Sequence, residues 1–350
     1  MVAERVTVSR LERLAGNAVL YVAAERAVGS FWSRIGSQPA RWAGVLAACL
    51  MVTACGRLAS EESQFTPTVS IDFSKRTAAA AEPHVSPRER SLNIAIAGMT
   101  SPLETLRYYQ DLLDYMGRKL DLPVKMKQRK TYQEVNDLLV AGELDAAFLC
   151  SGGYIRAGKS LASESFAVPV IRGKVTYQAY LIVHRDSPVG DFAGLQGGSF
   201  AFTDPLSNSG WLFPVSKLTA LGATPSSYFS RIIYTYGHDR SIEAVAHRIV
   251  DGASVDGLVY DYFAETAPEK LKHTRIIERS PGFGMPPVVA SPKLDRAAKD
   301  KLRIVLLNMH QDAEGIRILR KLSIDQFKRG EERDYESVRQ AAQRAGPWRP

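Results

Sequence analysis

The chain is poor in the residues that build metal centres and disulfide frameworks. Its three cysteines, Cys49, Cys55 and Cys150, are too few for a disulfide scaffold in 350 residues, and no Cys-x-x-Cys pair or Cys/His cluster has metal-ligand spacing. Long apolar runs are missing too. The most apolar stretch, around 42–55, is well short of the roughly 20 residues that cross a bilayer. Signatures of catalysis are equally scarce. No nucleophile is set with a base and an orienting partner, no carboxylate cluster could hold paired metals, and Ser209 has a following glycine without the rest of a Gly-x-Ser-x-Gly elbow. These absences argue against an enzyme, a phosphoester hydrolase included, and no cofactor or metal is expected. Lys plus Arg outnumber Asp plus Glu by 45 to 37, a net charge of +8. The basic residues alternate with acids rather than forming blocks, which excludes a nucleic-acid partner and leaves a mild bias toward anions.

What is present is the composition of a globular protein, 45% hydrophobic and 23% charged. The length suggests two lobes rather than one. At the amino terminus, Arg41 to Cys55 reads RWAGVLAACLMVTAC: a basic residue, then apolar and small residues over the length of a signal-peptide core. Its ending, Val52-Thr53-Ala54-Cys55, resembles a bacterial lipobox, which makes Cys55 the expected lipidation site. Leu46-Ala47-Ala48-Cys49 fits the same pattern but leaves a much shorter apolar core ahead of it. Gly56 to about Arg90 is rich in Ser, Thr, Ala, Pro and charge without periodicity, the composition of a tether. The expectation is a body held at a membrane surface by a lipid, in the periplasm or at the cell surface.

From Leu92 the chain becomes regular. Strands are expected at Leu92–Gly98, Val124–Gln128 and Asp145–Leu149, with helices through Leu106–Leu120 and Tyr132–Val140 between them and a turn at Gly152-Gly153. After a longer strand at Tyr177–His184 the pattern repeats. Strands at Ser199–Thr203, Ile232–Thr235 and Gly257–Asp261 alternate with a helix from about Ser207 and one carrying Ile242, Val245 and Ile249. Arg275–Glu278 and Pro287–Ala290 then return the chain to the first unit, and helices at Ala297–Met309 and Ala313–Leu322 complete it. This order predicts an α/β clam-shell: two lobes, each a mostly parallel sheet with helices on both faces, joined by two crossover segments. The divisions are extension and signal peptide 1–55, tether 56–90, lobe one 91–183 with 276–330, lobe two 184–275, and a charged tail 331–350, within a stretch from Lys328 that reads as a helix with a frayed end.

The segment Thr203-Asp204-Pro205-Leu206-Ser207-Asn208-Ser209-Gly210 ends a strand and opens a helix. Free N–H groups and the positive end of the helix dipole suit an anion there, and Ser207 and Ser209 add hydroxyl donors. Simple N-capping by Ser207 is the plainer reading of the same residues. Tyr236-Gly237-His238-Asp239 occupies the equivalent place in the next βα unit, where ligands of open α/β sheets bind, and His238 can donate to an oxyanion. Asp261, at the end of the following expected strand, could accept from a protonated ligand oxygen or orient His238. Cys150, after a buried strand, reads as a small apolar filler.

These motifs resemble the substrate-binding proteins of phosphonate, phosphite and phosphate ABC transporters. DPLSNSG (Asp204–Gly210), GHD with SIEAVA (Gly237–Ala246), VDGLVYD (Val255–Asp261), ELDAAF (Glu143–Phe148) and APEKLK (Ala267–Lys272) carry the resemblance in order. It implies that Ser207, Asn208, Ser209 and His238 hold a phosphorus oxyanion, that Tyr132 faces the cleft, and that the partner is a permease and ATPase complex. The same clam-shell could instead feed a sensor kinase. Three departures narrow the ligand. Ser-Asn-Ser replaces the family's usual Ser-Thr-Ser, Leu149-Cys150-Ser151-Gly152 follows Phe148, and the loop Pro281–Pro286 has no acid to hold an amine. Phosphate, phosphite or a simple phosphonate is therefore expected over an aminoalkyl phosphonate.

Overall fold

The computed structural model describes residues 91–161 and 165–346. The expected signal peptide, both amino-terminal cysteines and the tether lie outside the described residues. No helix among the described residues is long and apolar enough to cross a membrane.

The first lobe begins with β1 (Leu92–Ile96), α1 (Pro102–Leu120), β2 (Val124–Lys127), α2 (Tyr132–Ala141), β3 (Ala146–Phe148) and α3 (Ser151–Ala157). Pro102 opens α1, where its missing N–H has no partner to lose. Thr131 and Glu134 form a reciprocal capping box at the start of α2, and Gly142 ends that helix in the left-handed region, φ 76°. β4 (Ser165–Val170) follows, and β5 (Thr176–Tyr177) leaves the lobe. The second lobe holds β6 (Ala179–His184), β7 (Ser199–Phe202), α4 (Phe213–Ala220), α5 (Pro225–Tyr228), β8 (Arg231–Tyr234), α6 (His238–Ala246), β9 (Gly252–Asp256), α7 (Gly257–Thr266) and β10 (Thr274–Arg279). β11 (Phe283–Gly284) pairs with β5 as a two-stranded hinge ribbon, in which Phe283 faces Tyr177. The return to the first lobe adds β12 (Val288–Ala290), α8 (Arg296–Asn308), α9 (Ala313–Lys321), β13 (Gln326–Lys328) and α10 (Glu336–Ala345).

The clam-shell matches the expectation, but its sheets are mixed rather than mostly parallel. The six-stranded sheet runs β13-β4-β12-β3-β1-β2 and the five-stranded one β10-β6-β9-β7-β8. In each, the βαβ strands pair in parallel, while strands beside the crossings pair antiparallel. Alternation along the strands decides which face each residue serves. Ile94 and Ile96 pack with Leu112, Met116, Leu306 and Leu319 of α1, α8 and α9, whereas Ala95 turns toward Val135 and Leu139 of α2. Likewise Leu181, Phe200 and Phe202 face Val215 and Leu218 of α4, and Ile182, Ala201 and Val255 face Ile242, Val245 and Phe263.

Several boundaries differ from the sequence reading. Both β6 and β10 belong to the second sheet, so the crossings fall near 171–178 and 280–287, not at 183/184 and 275/276. Arg275–Glu278 thus pairs with β6 instead of returning to the first lobe. The last strand of the second βαβ series is Gly252–Asp256, and Gly257–Asp261 opens a helix. A short apolar run such as Leu258-Val259-Tyr260 fits either element. Pairing of Phe200 and Ala201 with Gly252 and Ala253 settles the strand, and Asp256 caps the helix by accepting from the Leu258 N–H at 2.8 Å. The preceding helix stops at Ala246, leaving Ile249 half exposed. Gly152-Gly153 lies inside α3 rather than in a turn. The charged carboxy-terminal segment holds the helix expected there, and it is docked: Tyr335, Val338 and Ala341 are buried, and the Tyr335 hydroxyl donates to the Met285 carbonyl beside the hinge at 3.0 Å.

Candidate functional site

The site lies where the loops after β3, β7, β8 and β9 meet the start of α2. After β7 the chain turns at Asp204 and enters a single wide helical turn, Asn208–Leu212, in which Leu212 N–H reaches back five residues to the Ser207 carbonyl at 2.9 Å. Such turns concentrate at functional sites. The widening has a local cause. Pro214 has no N–H to give the Gly210 carbonyl, which instead accepts from Thr203 N–H at 3.3 Å. The Ser209 carbonyl, freed in the same way, accepts from Ser254 Oγ at 2.5 Å. The turn is thereby clamped to β7 and β9. Gly210 is required by packing, since a Cβ there would sit 2.4 Å from Thr203 Oγ1 and 3.1 Å from His238 Cε1.

The residues singled out in the sequence take different places. Ser207 is the N-cap, its Oγ accepting from Gly210 N–H at 2.9 Å. Asn208 spans the lobes: its amide Nδ2 donates to the Tyr177 hydroxyl at 3.0 Å, and its backbone N–H points to Cys150 Sγ at 3.5 Å. Ser209 is fully buried and its Oγ has no protein partner. His238 opens α6, with Nδ1 accepting from the Asp256 N–H at 3.0 Å and facing Thr203 Oγ1 at 3.1 Å. An accepting Nδ1 places the ring proton on Nε2, which is buried without a partner. Burial pushes the His238 pKa down to about 3, so the ring is a neutral donor near pH 7. From the first lobe, Tyr132 is buried and its hydroxyl is unpartnered. Burial, reinforced by the neighbouring acidic groups, raises its pKa and keeps the proton on oxygen.

Asp261 is not part of this group. It sits on α7, half exposed, in an ion pair with Arg172 at 3.2 Å and accepting from the Tyr180 hydroxyl at 3.1 Å. The buried carboxyl is Asp256, five residues earlier, with Oδ2 unpartnered. Burial pushes its pKa up to about 7 against the capping hydrogen bonds that lower it. Its signal in the sequence was the Val255-Asp256-Gly257 step from strand to helix, obscured because the strand was placed too late. Cys150 is buried and its thiol is pushed up to about 11, so it stays protonated and unreactive.

The lobes are bridged around this centre. Tyr132 N–H donates to Asp204 Oδ2 at 3.1 Å, His238 N–H to the Met99 carbonyl at 2.8 Å, and Ser101 N–H to Asp239 Oδ2 at 2.9 Å. Tyr132, Ser209, His238 and Asp256 therefore supply a hydroxyl, a hydroxyl, an imidazole N–H and a carboxyl without protein partners. Buried polar groups are almost always paired, so these four atoms from two lobes, with Asn208 Oδ1 and Asp239 Oδ1 on the adjoining residues also unpartnered, mark a place for a polar guest.

Two α/β lobes on a double-stranded hinge, with unsatisfied donors at their seam, define a type II-like periplasmic binding protein. Residues 94–335 match the model of the phosphonate ABC transporter periplasmic substrate-binding protein family, and the chain belongs to that family. Its members are substrate-binding transport proteins of the periplasm, not enzymes. The chain is 27% identical over 264 residues to the phosphonates-binding periplasmic protein of Escherichia coli K12, covering 74% of this chain and 78% of that one. It is also 27% identical over 209 residues to the phosphate-import protein PhnD of Mycolicibacterium smegmatis, covering 56% of this chain and just under two thirds, 64%, of that relative. A binding component of a phosphonate transporter from Pseudomonas aeruginosa shares the fold at a TM-score of 0.68 and 23% identity, over 72% of this chain and 85% of that structure. PhnD1 of Prochlorococcus marinus, solved with methylphosphonate, does so at 0.63 and 16%, over 72% and 97%.

Proposed function

We propose that the chain captures a phosphorus oxyanion (phosphate, phosphite or a simple phosphonate) between its lobes and presents it to an ABC transporter permease. The convergence of Tyr132 Oη, Ser209 Oγ, His238 Nε2 and Asp256 Oδ2, all buried and unpartnered, carries this reading. A tetrahedral oxyanion offers several acceptors at once, and these groups are three neutral donors and one carboxyl that keeps its proton to about pH 7. Protonated Asp256 donates to a doubly charged ligand; ionised Asp256 accepts from a singly protonated one. Ser207 supports the turn and Asn208 fastens it to Tyr177, so both position the site more than they contact the guest. Names of relatives point the same way, to phosphonates in the Escherichia coli protein and phosphate in the mycobacterial one. Titration calorimetry with phosphate, phosphite and methylphosphonate tests the reading. Ser209→Ala removes one hydrogen bond to a charged ligand and weakens binding by about 1.5–3 kcal/mol, roughly tenfold to 150-fold. Unchanged affinity would remove Ser209 from the site. We further propose that Cys55 carries the lipid that holds the body at the membrane.

A further inference from the structure

Asp256 also lines a cavity that the oxyanion does not need. The cavity has a volume of about 130 Å³ and lies between α1 and α7. Its surface is largely apolar, contributed by Met99, Tyr109, Phe148, Ile171, Leu258 and Val259. Several polar groups in its wall are engaged elsewhere. Asp261 and Glu265 both pair with Arg172, and Thr100 and Thr105 bond each other at 3.0 Å. Asp256 alone among the lining carboxylates has a buried oxygen without a partner, and it is shared with the oxyanion centre.

Resting on the oxyanion reading above, we propose that this cavity takes the substituent on phosphorus, and that the substituent is an uncharged alkyl or aryl group. An apolar cavity of about 150 Å³ holds a benzene molecule, so the space here suits a group up to about that size. An ammonium would give up its hydration against apolar walls whose outer carboxylates already have a guanidinium. Phosphate and phosphite leave the cavity unused, and methylphosphonate enters it by one carbon.

Calorimetry on the full chain with phosphate and with methyl-, butyl-, phenyl- and 2-aminoethylphosphonate separates the possibilities. Each methylene buried contributes about fourfold, so butylphosphonate binds roughly 50-fold tighter than methylphosphonate, and phenylphosphonate at least about tenfold tighter. Val259→Phe fills the cavity from α7; it changes no side chain that faces the oxyanion and keeps the backbone N–H that Val259 gives Asp256. It removes the gain of the larger ligands and leaves methylphosphonate within about threefold of the native value. Equal affinity for methyl- and butylphosphonate, or a preference for the aminoethyl compound, overturns the substituent proposal while the oxyanion reading stands. Failure of every phosphorus oxyanion to bind overturns both.

Discussion

Gly152→Ala tests whether lobe contact and ligand affinity are one property. A Cβ on Gly152, in the first lobe, would lie 2.4 Å from the Leu206 carbonyl oxygen, 2.7 Å from Asn208 N and 3.1 Å from Asn208 Cα, all in the second lobe. Each of these is a backbone atom, so no side-chain rotation relieves the overlap. Ordinary contact starts at 3.4 Å, which makes the required separation 1.0 Å along the worst vector (3.4 minus 2.4). That shift draws Tyr132 away from Ser209 and His238, and stretches the 3.0 Å bond from Asn208 Nδ2 to Tyr177 and the 3.1 Å bond from Tyr132 N to Asp204. Losing one hydrogen bond to a charged ligand costs about 1.5–3 kcal/mol, a loss of roughly tenfold to 150-fold in affinity. Gly153→Ala is the control, because its Cβ would meet nothing closer than 3.8 Å. Calorimetry with methylphosphonate reads both variants. Equal affinity for the two would refute the argument that this contact sets the bound geometry.

Asp256→Asn is expected to change the pH dependence of stability in one direction. The folded carboxyl titrates at about 7 against an ordinary value of 3.8, so the native state holds a proton that the unfolded chain releases between those values. Stability therefore falls from about pH 4 to 7 on account of this group and is flat above, and Tm measurements across that range should show the variant gaining on the native protein as pH rises. His238 acts oppositely: its folded pKa of about 3 against 6.5 makes stability rise with pH over that interval, and His238→Gln removes the rise. Tyr335→Ala empties a fully buried site beneath the hinge, where the ring lies 4.8 Å from that of Tyr154. About 3–5 kcal/mol is lost, read as a Tm drop of about 10 °C; a fall under 2 °C would mean that α10 is not part of the core. Cys55→Ser should abolish metabolic labelling with palmitate and release the protein from membranes; retained labelling would move the anchor to another residue.

Local patterns in the chain were enough for the two βαβ series and for the ligand loops after β7 and β8. Parallel strands with intervening helices write a strong periodic signal, and the capping and loop residues near Ser207 and His238 sit next to one another in sequence. Ser209 and His238 were legible because each opens, or nearly opens, a helix after a strand, whereas Tyr132 entered only through the family resemblance and by position alone reads as a helix aromatic. Strands Ser165–Val170 and Gln326–Lys328 went unseen, since their pairing partners are distant in the chain: Val170 lies opposite Gln326, and Ala167 opposite Val288. The placement of β6 and β10 depended on pairing partners in the same way.

The tertiary structure alone decided between two carboxylates. Asp256 and Asp261 differ by five positions, and nothing local says which is buried; pairing of β9 with β6 runs as far as Asp256, opposite Ala179, and the next turn of helix carries Asp261 outward to Arg172. It likewise separated a capping serine from a free one two residues later, because the wide turn imposed with Pro214 spends Ser207 on the backbone and leaves Ser209 unpaired. Residue type and spacing are properties of the chain, whereas burial and the absence of a partner arise only when distant segments close over the same point.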